Sequence, residues 1–304
     1  MTATVGTSTL DAPTPTPKRA AARPSRNVLR ALTRSTSGTI GFILVALIVL
    51  VSLIGPLFTP DSLPTDTNSI YLAPGAGHLL GTDASGRDIL VEVINGGRTV
   101  IVVGFSAALF STLIAIVFGS LAAYLGGVVD SLIVAATDIV LTVPQIALLA
   151  VLSSLYHLDN SMLLAGLIGI LSWPTLLRAV RAQVLSLKER EYVEAAQLLD
   201  LGTTRILSVE ILPNMASFIV MNFMIGMTNA IYALVGLYFL GLAPLAGDNW
   251  GIMLNEAWTR GAIFDTDSVF YILSPVIAIS LLQLGLVMMT RSLEELLNPR
   301  LRQD

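Results

Sequence analysis

The chain has 304 residues, 54% of them hydrophobic and only 12% charged, with a net charge of −4. Soluble domains carry about 25% charged residues, so a water-compatible surface around the whole chain is excluded. The charge is missing in blocks: uncharged runs separate Arg34 from Asp61, Arg98 from Asp130, Asp138 from Asp159, Asp159 from Arg178, Glu210 from Asp248 and Asp267 from Arg291, each 18 residues or longer. A helix needs roughly 20 mostly apolar residues to cross a hydrocarbon core of about 30 Å, and six runs predict six spans.

Residues 1 to 35 are rich in Thr, Pro, Ala and basic side chains without apolar periodicity, which predicts a disordered tail. Span one is expected at about 38 to 58. It is too long for a signal-peptide core of 7 to 15 residues and no small-residue cleavage site follows, so it reads as a retained helix. The loop after it carries His78-Leu-Leu-Gly81-Thr82-Asp83-Ala-Ser-Gly86-Arg87-Asp88. Gly81 and Gly86 bracket a tight turn, and Asp83, Arg87 and Asp88 can pair locally. A structural lock and a contact for another protein fit these residues equally. Spans two, three and four are expected at about 99 to 126, 131 to 153 and 160 to 178. Asp138 is then the one charged residue inside a span, placed either as a packing or interfacial carboxylate or on a solute path.

On the side of the N-terminus, residues 178 to 214 form the longest segment between spans. It reads as a helix to about Leu201, ended by Gly202 in the left-handed conformation, followed by a second short helix capped by Thr203 or Thr204 and separated from span five by Pro213. Span five, about 215 to 241, holds Asn222, Gly226 and Asn229 at spacings that share one helical face. Polar groups on one face of a span turn away from lipid, toward either a partner helix or a water-filled cavity. Gln145, beside Pro144 in span three, and Gln283, in span six at about 269 to 290, are further candidates of this kind.

Fourteen of the 17 basic residues fall on one side if the N-terminus is cytoplasmic. Positive charge concentrates on the cytoplasmic side of membrane proteins, so both termini are assigned there. Runs of this length are too long for barrel strands, so the fold class is an all-α membrane protein. The chain divides into a tail over 1–35, a first helix with its outer loop over 36–98, and a five-helix core over 99–304 that contains the segment 180–214.

Cysteine is absent and histidine occurs only as His78 and His157, so no thiol nucleophile or metal-ligand cluster is expected. No phosphate-binding G-x-x-x-x-G-K-[ST] string occurs, so the chain does not itself hydrolyse ATP. Without an acid/base constellation an enzyme is excluded. A self-sufficient carrier or channel is the rival to the reading that follows.

Glu194-Ala195-Ala196, followed at distance by Ile211-Leu212-Pro213-Asn214, resembles the EAA motif of permease subunits of ATP-binding-cassette importers. The family's glycine, separated from the triplet by three residues, is replaced by Asp200, with Gly202 two further on. Gly81-Thr82-Asp83 with Gly86-Arg87-Asp88, Tyr238-Phe-Leu-Gly-Leu242, Trp250-Gly-Ile-Met-Leu254 and Leu297-Asn-Pro-Arg-Leu-Arg302 are similar to segments of the C-type permease of dipeptide, oligopeptide and nickel importers. The resemblance implies the type I importer permease fold, with Glu194, Ala195, Ala196, Leu198, Gly202, Ile211, Leu212 and Pro213 in a coupling helix that docks on an ATPase. It also implies a second homologous permease, two ATPase subunits or one two-headed ATPase, and an extracytoplasmic substrate-binding protein, all at a bacterial cytoplasmic membrane. ATP and Mg would be held by those partners, with no cofactor on this chain and no nucleic acid. Peptides are the expected substrate, and nickel or another small solute the alternative.

Overall fold

A computed structural model describes residues 35–60, 65–75, 77–156, 160–244, 247–264 and 268–297. Residues 1–34 of the expected tail, His157 and the closing 298–302 segment lie outside the described residues. The helices are α1 (Thr36–Ile54), α2 (Ile89–Leu125), α3 (Gly127–Thr142), α4 (Gln145–Tyr156), α5 (Ser161–Lys188), α6 (Glu191–Leu198), α7 (Ala216–Phe239), α8 (Trp250–Thr259) and α9 (Val269–Leu297). Five helical runs are long and apolar enough to cross a membrane, and α3 with α4 would make a sixth if that bent pair is one span. Among the described residues no strand forms, as expected where every backbone group must be satisfied within its own segment.

The centre of the bundle is the parallel pair α2 and α5. A Cβ on Gly169 would lie 2.9 Å from the Ala107 carbonyl oxygen, one on Gly119 would lie 3.1 Å from that of Leu177, and Lys188 Nζ donates to the Tyr124 carbonyl at 2.7 Å. The facing stripe of α2 holds the small residues Ala107, Ala115 and Gly119, which let the two backbones approach where lipid offers no hydrophobic drive for association, while Gly104 and Ala108 meet Ile231 and Gly226 of α7. On the far side α1 runs antiparallel to α9, with Ser35 Oγ 2.7 Å from Ser292 Oγ. α7 packs on α2 and α9, and α8 crosses the ends of α2, α7 and α9.

Four expectations change. The second span begins at Ile89 rather than near 99, because the Asp88 carboxylate accepts from the Leu90 and Val91 amides and starts the helix there. This draws Glu92 and Arg98 into the helix, so Asp138 is not the one charged residue in a span. The third span is not straight: α3 and α4 meet at 80°. Pro144 forces Val143 out of helical conformation, to φ −93° and ψ 128°.

The charged helix does not run unbroken to Leu201. It stops at Lys188 and resumes as α6, which begins after Arg190 adopts an extended conformation. The left-handed residue is Asp200, at φ 54°, whereas Gly202 sits at φ −58° and ψ 150°. Helix α6 thus turns at the position where the resembled family carries its glycine, separated from the triplet by three residues. Pro213, finally, does not separate a short helix from span five. The chain stays helical from Thr203 to Phe239, absorbing the missing amide through a π-turn at Ile206–Ile211 and a 3₁₀ turn at Leu212–Met215.

Three substitutions check this structure through the thermal unfolding midpoint of the purified protein in detergent. Gly169→Ala forces a methyl against the Ala107 carbonyl and is expected to cost about 1–3 kcal/mol. Gly166→Ala, with nothing within 4 Å, is expected to raise the midpoint by removing a helix penalty of up to about 1 kcal/mol. Asp200→Gly is likewise expected to stabilise, by about 1 kcal/mol, because glycine carries no Cβ penalty in the left-handed region.

Candidate functional site

The residues singled out in the sequence gather at three places. The first is the loop before α2. Gly81 and Gly86 take φ values of 80° and 77°, and a Cβ on Gly86 would lie 1.9 Å from the Asp66 carbonyl oxygen, so this turn closes only with glycine. Thr82 is fully buried: its hydroxyl donates to the Ser69 carbonyl and accepts from the Leu72 amide at 2.8 Å. Asp83 is also fully buried and accepts from the Ser85 and Arg87 amides at 2.8 and 2.7 Å.

Arg87 is the hub of this loop. Its guanidinium lies 2.8 Å from Asp83, 2.7 Å from Glu92 on α2 and 3.1 Å from Glu256 on α8, and Glu256 also accepts from the Tyr271 hydroxyl of α9 at 3.2 Å. Burial works against the charge on Arg87, yet the carboxylates of Glu92, Asp83 and Glu256 outweigh it and hold the guanidinium above its ordinary pKa. Asp88 does not join this cluster. It caps α2 and pairs with His78 Nδ1 at 2.8 Å. Glu92, Glu256 and Tyr271 were not singled out by the sequence reading. The available signal was the recurrence of carboxylates beside the two Gly-containing segments, Glu92 five residues after Arg87 and Glu256 five after Gly251.

The second place is a cavity of about 590 Å³ beside the α3–α4 elbow. It brings together Asn222, Gly226 and Asn229 of α7 with Gln145 of α4, and adds Ser172 and Thr175 of α5. Gln145 Nε2 donates to Ser172 Oγ at 2.8 Å and Asn222 Nδ2 to the Phe218 carbonyl at 2.9 Å, so each keeps its amide oxygen for another donor. No charged side chain lines the cavity. Gln283 is not part of it: this residue is buried between α9 and α7, with its amide donating to the Thr228 carbonyl at 3.4 Å.

The third place is α6, which has two unlike faces. Val193 and Ala196 are buried in a cluster with Val180 and Val184 of α5 and with Ile206, Leu207 and Ile211. Tyr192, Ala195, Leu198 and Leu199 share the opposite, exposed face, Leu198 at 83% and Leu199 at 73% exposure. Glu194 and Gly202 are exposed as well, and Leu212 and Pro213 are half-buried. The expected docking set therefore divides. Ala196 and Ile211 face inward and cannot meet a partner, while Ala195 and Leu198 face out.

Comparison with known proteins covers most of the chain. Residues 115–303 match the family of binding-protein-dependent transport system inner membrane components, and residues 23–74 match the N-terminal transmembrane domain of oligopeptide transport permease C. The dipeptide transport system permease protein DppC of Haemophilus influenzae is 34% identical over 274 residues, which are 87% of this chain and 90% of that protein. DppC of Alkalihalophilus pseudofirmus is 31% identical over 298 residues, 96% of this chain and 95% of the relative. The oligopeptide transport system permease protein OppC of Bacillus subtilis is 31% identical over 273 residues, 87% and 86% of the two chains. With a family match over most of its helical core and relatives aligned along nearly their whole length, the chain belongs to the binding-protein-dependent inner-membrane permeases of ATP-binding-cassette importers, in their C-type branch.

Proposed function

We propose that this chain supplies half of the membrane pathway of an ATP-driven importer of di- or oligopeptides and couples to a separate ATPase through α6. The observation that carries the coupling is the exposed stripe of Tyr192, Ala195, Leu198 and Leu199 on a short helix whose other face is anchored in the protein's own core. Two adjacent leucines exposed to this degree at the end of a polar helix are costly in water and favourable in the groove of a partner. Ala195 lies between them and Tyr192 and leaves room for the partner's surface to approach.

The substrate assignment rests on the relatives, which are named for dipeptide and oligopeptide transport. An uncharged cavity lined by amides and hydroxyls suits a solute whose common feature is the peptide group. A second, homologous permease completes the pathway, an extracytoplasmic binding protein delivers the peptide, and ATP with Mg is bound by the ATPase partners. Both termini and α6 are assigned to the cytoplasm, where fourteen of the 17 basic residues then fall. The Arg87 loop on the opposite side is read as a lock rather than as a docking site, since Thr82 and Asp83 are wholly enclosed.

In this scheme the permease pair is the bistable element, and ATP-driven closure of the ATPases biases it through contacts that differ between its two states. Ala195→Glu is expected to leave folding unchanged and to lower peptide transport and binding-protein-stimulated ATP hydrolysis at least tenfold. Ala196→Glu is instead expected to destabilise the protein, because it buries an unpaired charge. Unchanged transport and assembly in the Ala195→Glu importer would remove the coupling assignment. Asn229→Cys is expected to react with an aqueous thiol reagent in at least one nucleotide state, and the chain offers no other cysteine to confuse the readout. A thiol that stays unreactive in every state would place Asn229 against a helix instead.

A further inference from the structure

The cavity beside the α3–α4 elbow holds no charge, yet an ion pair stands at its edge. Asp138 of α3 meets Arg178 of α5 at 2.5 Å, and their side chains are 53% and 54% exposed. The other ion pair joining α3 to α5, Asp130 with Arg181, is more enclosed, at 22% and 31% exposure. Helical spacing relates the exposed pair to the cavity wall. Asp138 lies one turn from Leu141, and Arg178 lies one turn from Thr175 and beside Ala179, all three of which line the cavity.

Charged side chains in a spanning segment avoid lipid and face a partner or water. Asp130 and Arg181 already clasp the two helices, and an exposed pair adds little to stability, so the clasp alone does not account for Asp138 and Arg178. Holding both charges half-exposed at the end of an uncharged chamber leaves them able to act on what passes. The contents of the chamber point the same way. Gln145 Oε1 and Asn222 Oδ1 are left as acceptors but no charged side chain lines the wall, so the pair is the nearest place where full charge meets the chamber.

Resting on the reading of this chain as a peptide permease, we infer that Asp138 and Arg178 form a charge-reading gate in the pathway. They exchange their mutual contact for the ammonium and carboxylate groups of a passing zwitterionic peptide, and so determine how the permease discriminates between charged peptides. The pair is balanced, which lets peptides of either net charge through. Removing one partner would leave the pathway with the sign of the other.

The test uses the complete importer in proteoliposomes, with the binding protein, partner permease and ATPases unchanged, and measures uptake of alanyl-lysine and alanyl-glutamate. Because the binding protein is common to every arm, its own selectivity cancels when the uptake ratio of a variant is divided by that of the wild type. Arg178→Gln is expected to shift the ratio toward alanyl-lysine by about fivefold, the order of one unit charge acting at close range in water, and Asp138→Asn to shift it as far toward alanyl-glutamate. Equal loss of both peptides would mean a structural clasp, and unchanged ratios would mean a pair covered by the partner permease. Either result overturns the inference while leaving the peptide reading intact. A wild-type importer that carries neither peptide but does carry nickel overturns both.

Thr175→Cys provides a measurement that keeps both charges in place. A charged aqueous thiol reagent is expected to reach it in the assembled importer. No reaction in any nucleotide state puts the pair outside the pathway and overturns the inference.

Discussion

The arrangement depends on the close parallel contact of α2 with α5. In hydrocarbon the burial of apolar surface gives helices no reason to associate, because lipid tails are as apolar as leucine. What remains is dispersion between surfaces that fit, and the fit here comes from removing side chains. Gly119 and Gly169 sit where a methyl would meet a carbonyl oxygen of the opposite helix. Most of the other elements meet this pair directly. α3 is tied to α5, α6 continues from its end, α7 lies along α2, and α8 crosses the start of α2.

The few charges in the helical bundle serve this axis. Arg87 joins the outer loop and α8 to the first turn of α2, and Trp250 Nε1 adds a bond to the Val93 carbonyl at 2.8 Å. Asp130 and Asp138 join α3 to Arg181 and Arg178 of α5, and Gln145 beyond the elbow reaches Ser172 of the same helix. Along α5 these partners fall in reverse order, so α3 and the start of α4 run antiparallel to it and stay attached on both sides of the Pro144 break. An unattached break would leave free backbone groups facing lipid. Fastened to α5, it forms the wall of a cavity, which is the setting in which irregular backbone is tolerated at membrane depth.

Much of this was legible in the chain. The long uncharged runs predict the helices because the bilayer sets one length for all of them, and Asn222, Gly226 and Asn229 share a face in the folded protein because helical period is local. What was not legible depends on competition between distant groups. Asp88 starts α2 ten residues early by capping it, and the helix can afford Glu92 there only because Arg87 folds back onto it. Gln283 has the same residue type as a cavity amide but faces Thr228, since which side of α9 meets α7 is decided by packing. Gly202 looked like the turn residue because glycine is the usual occupant of the left-handed region. Asp200 takes that conformation instead, because α6 ends at Leu198 and the Asp200 and Leu201 amides close the turn on the Gln197 and Ala196 carbonyls. Ala195 and Ala196 are indistinguishable in sequence, yet one residue of offset on a helix carries them to different faces.

That offset bears on how motion could pass through the protein. The buried face of α6 does not rest on the helix that precedes it alone. Val193 and Ala196 share one cluster with Val180 and Val184 of α5, Ala115 and Ala123 of α2, and Ile206, Leu207, Ile211 and Met215 on the approach to α7. Packed interiors transmit strain because they have little free volume to absorb it. A partner that draws on Leu198 and Leu199 therefore acts on the ends of α5 and α7 together. These are the helices that carry Thr175 on one wall of the cavity and Asn222 and Asn229 on the other. The π-turn at Ile206–Ile211 contributes Ile206, Leu207 and Ile211 to that cluster and leads on into α7. The path from the exposed stripe to the cavity thus runs through one packed cluster into both α5 and α7. Displacement of α6 would then act on both helices that wall the cavity, and so on the width between its Thr175 and Asn229 sides.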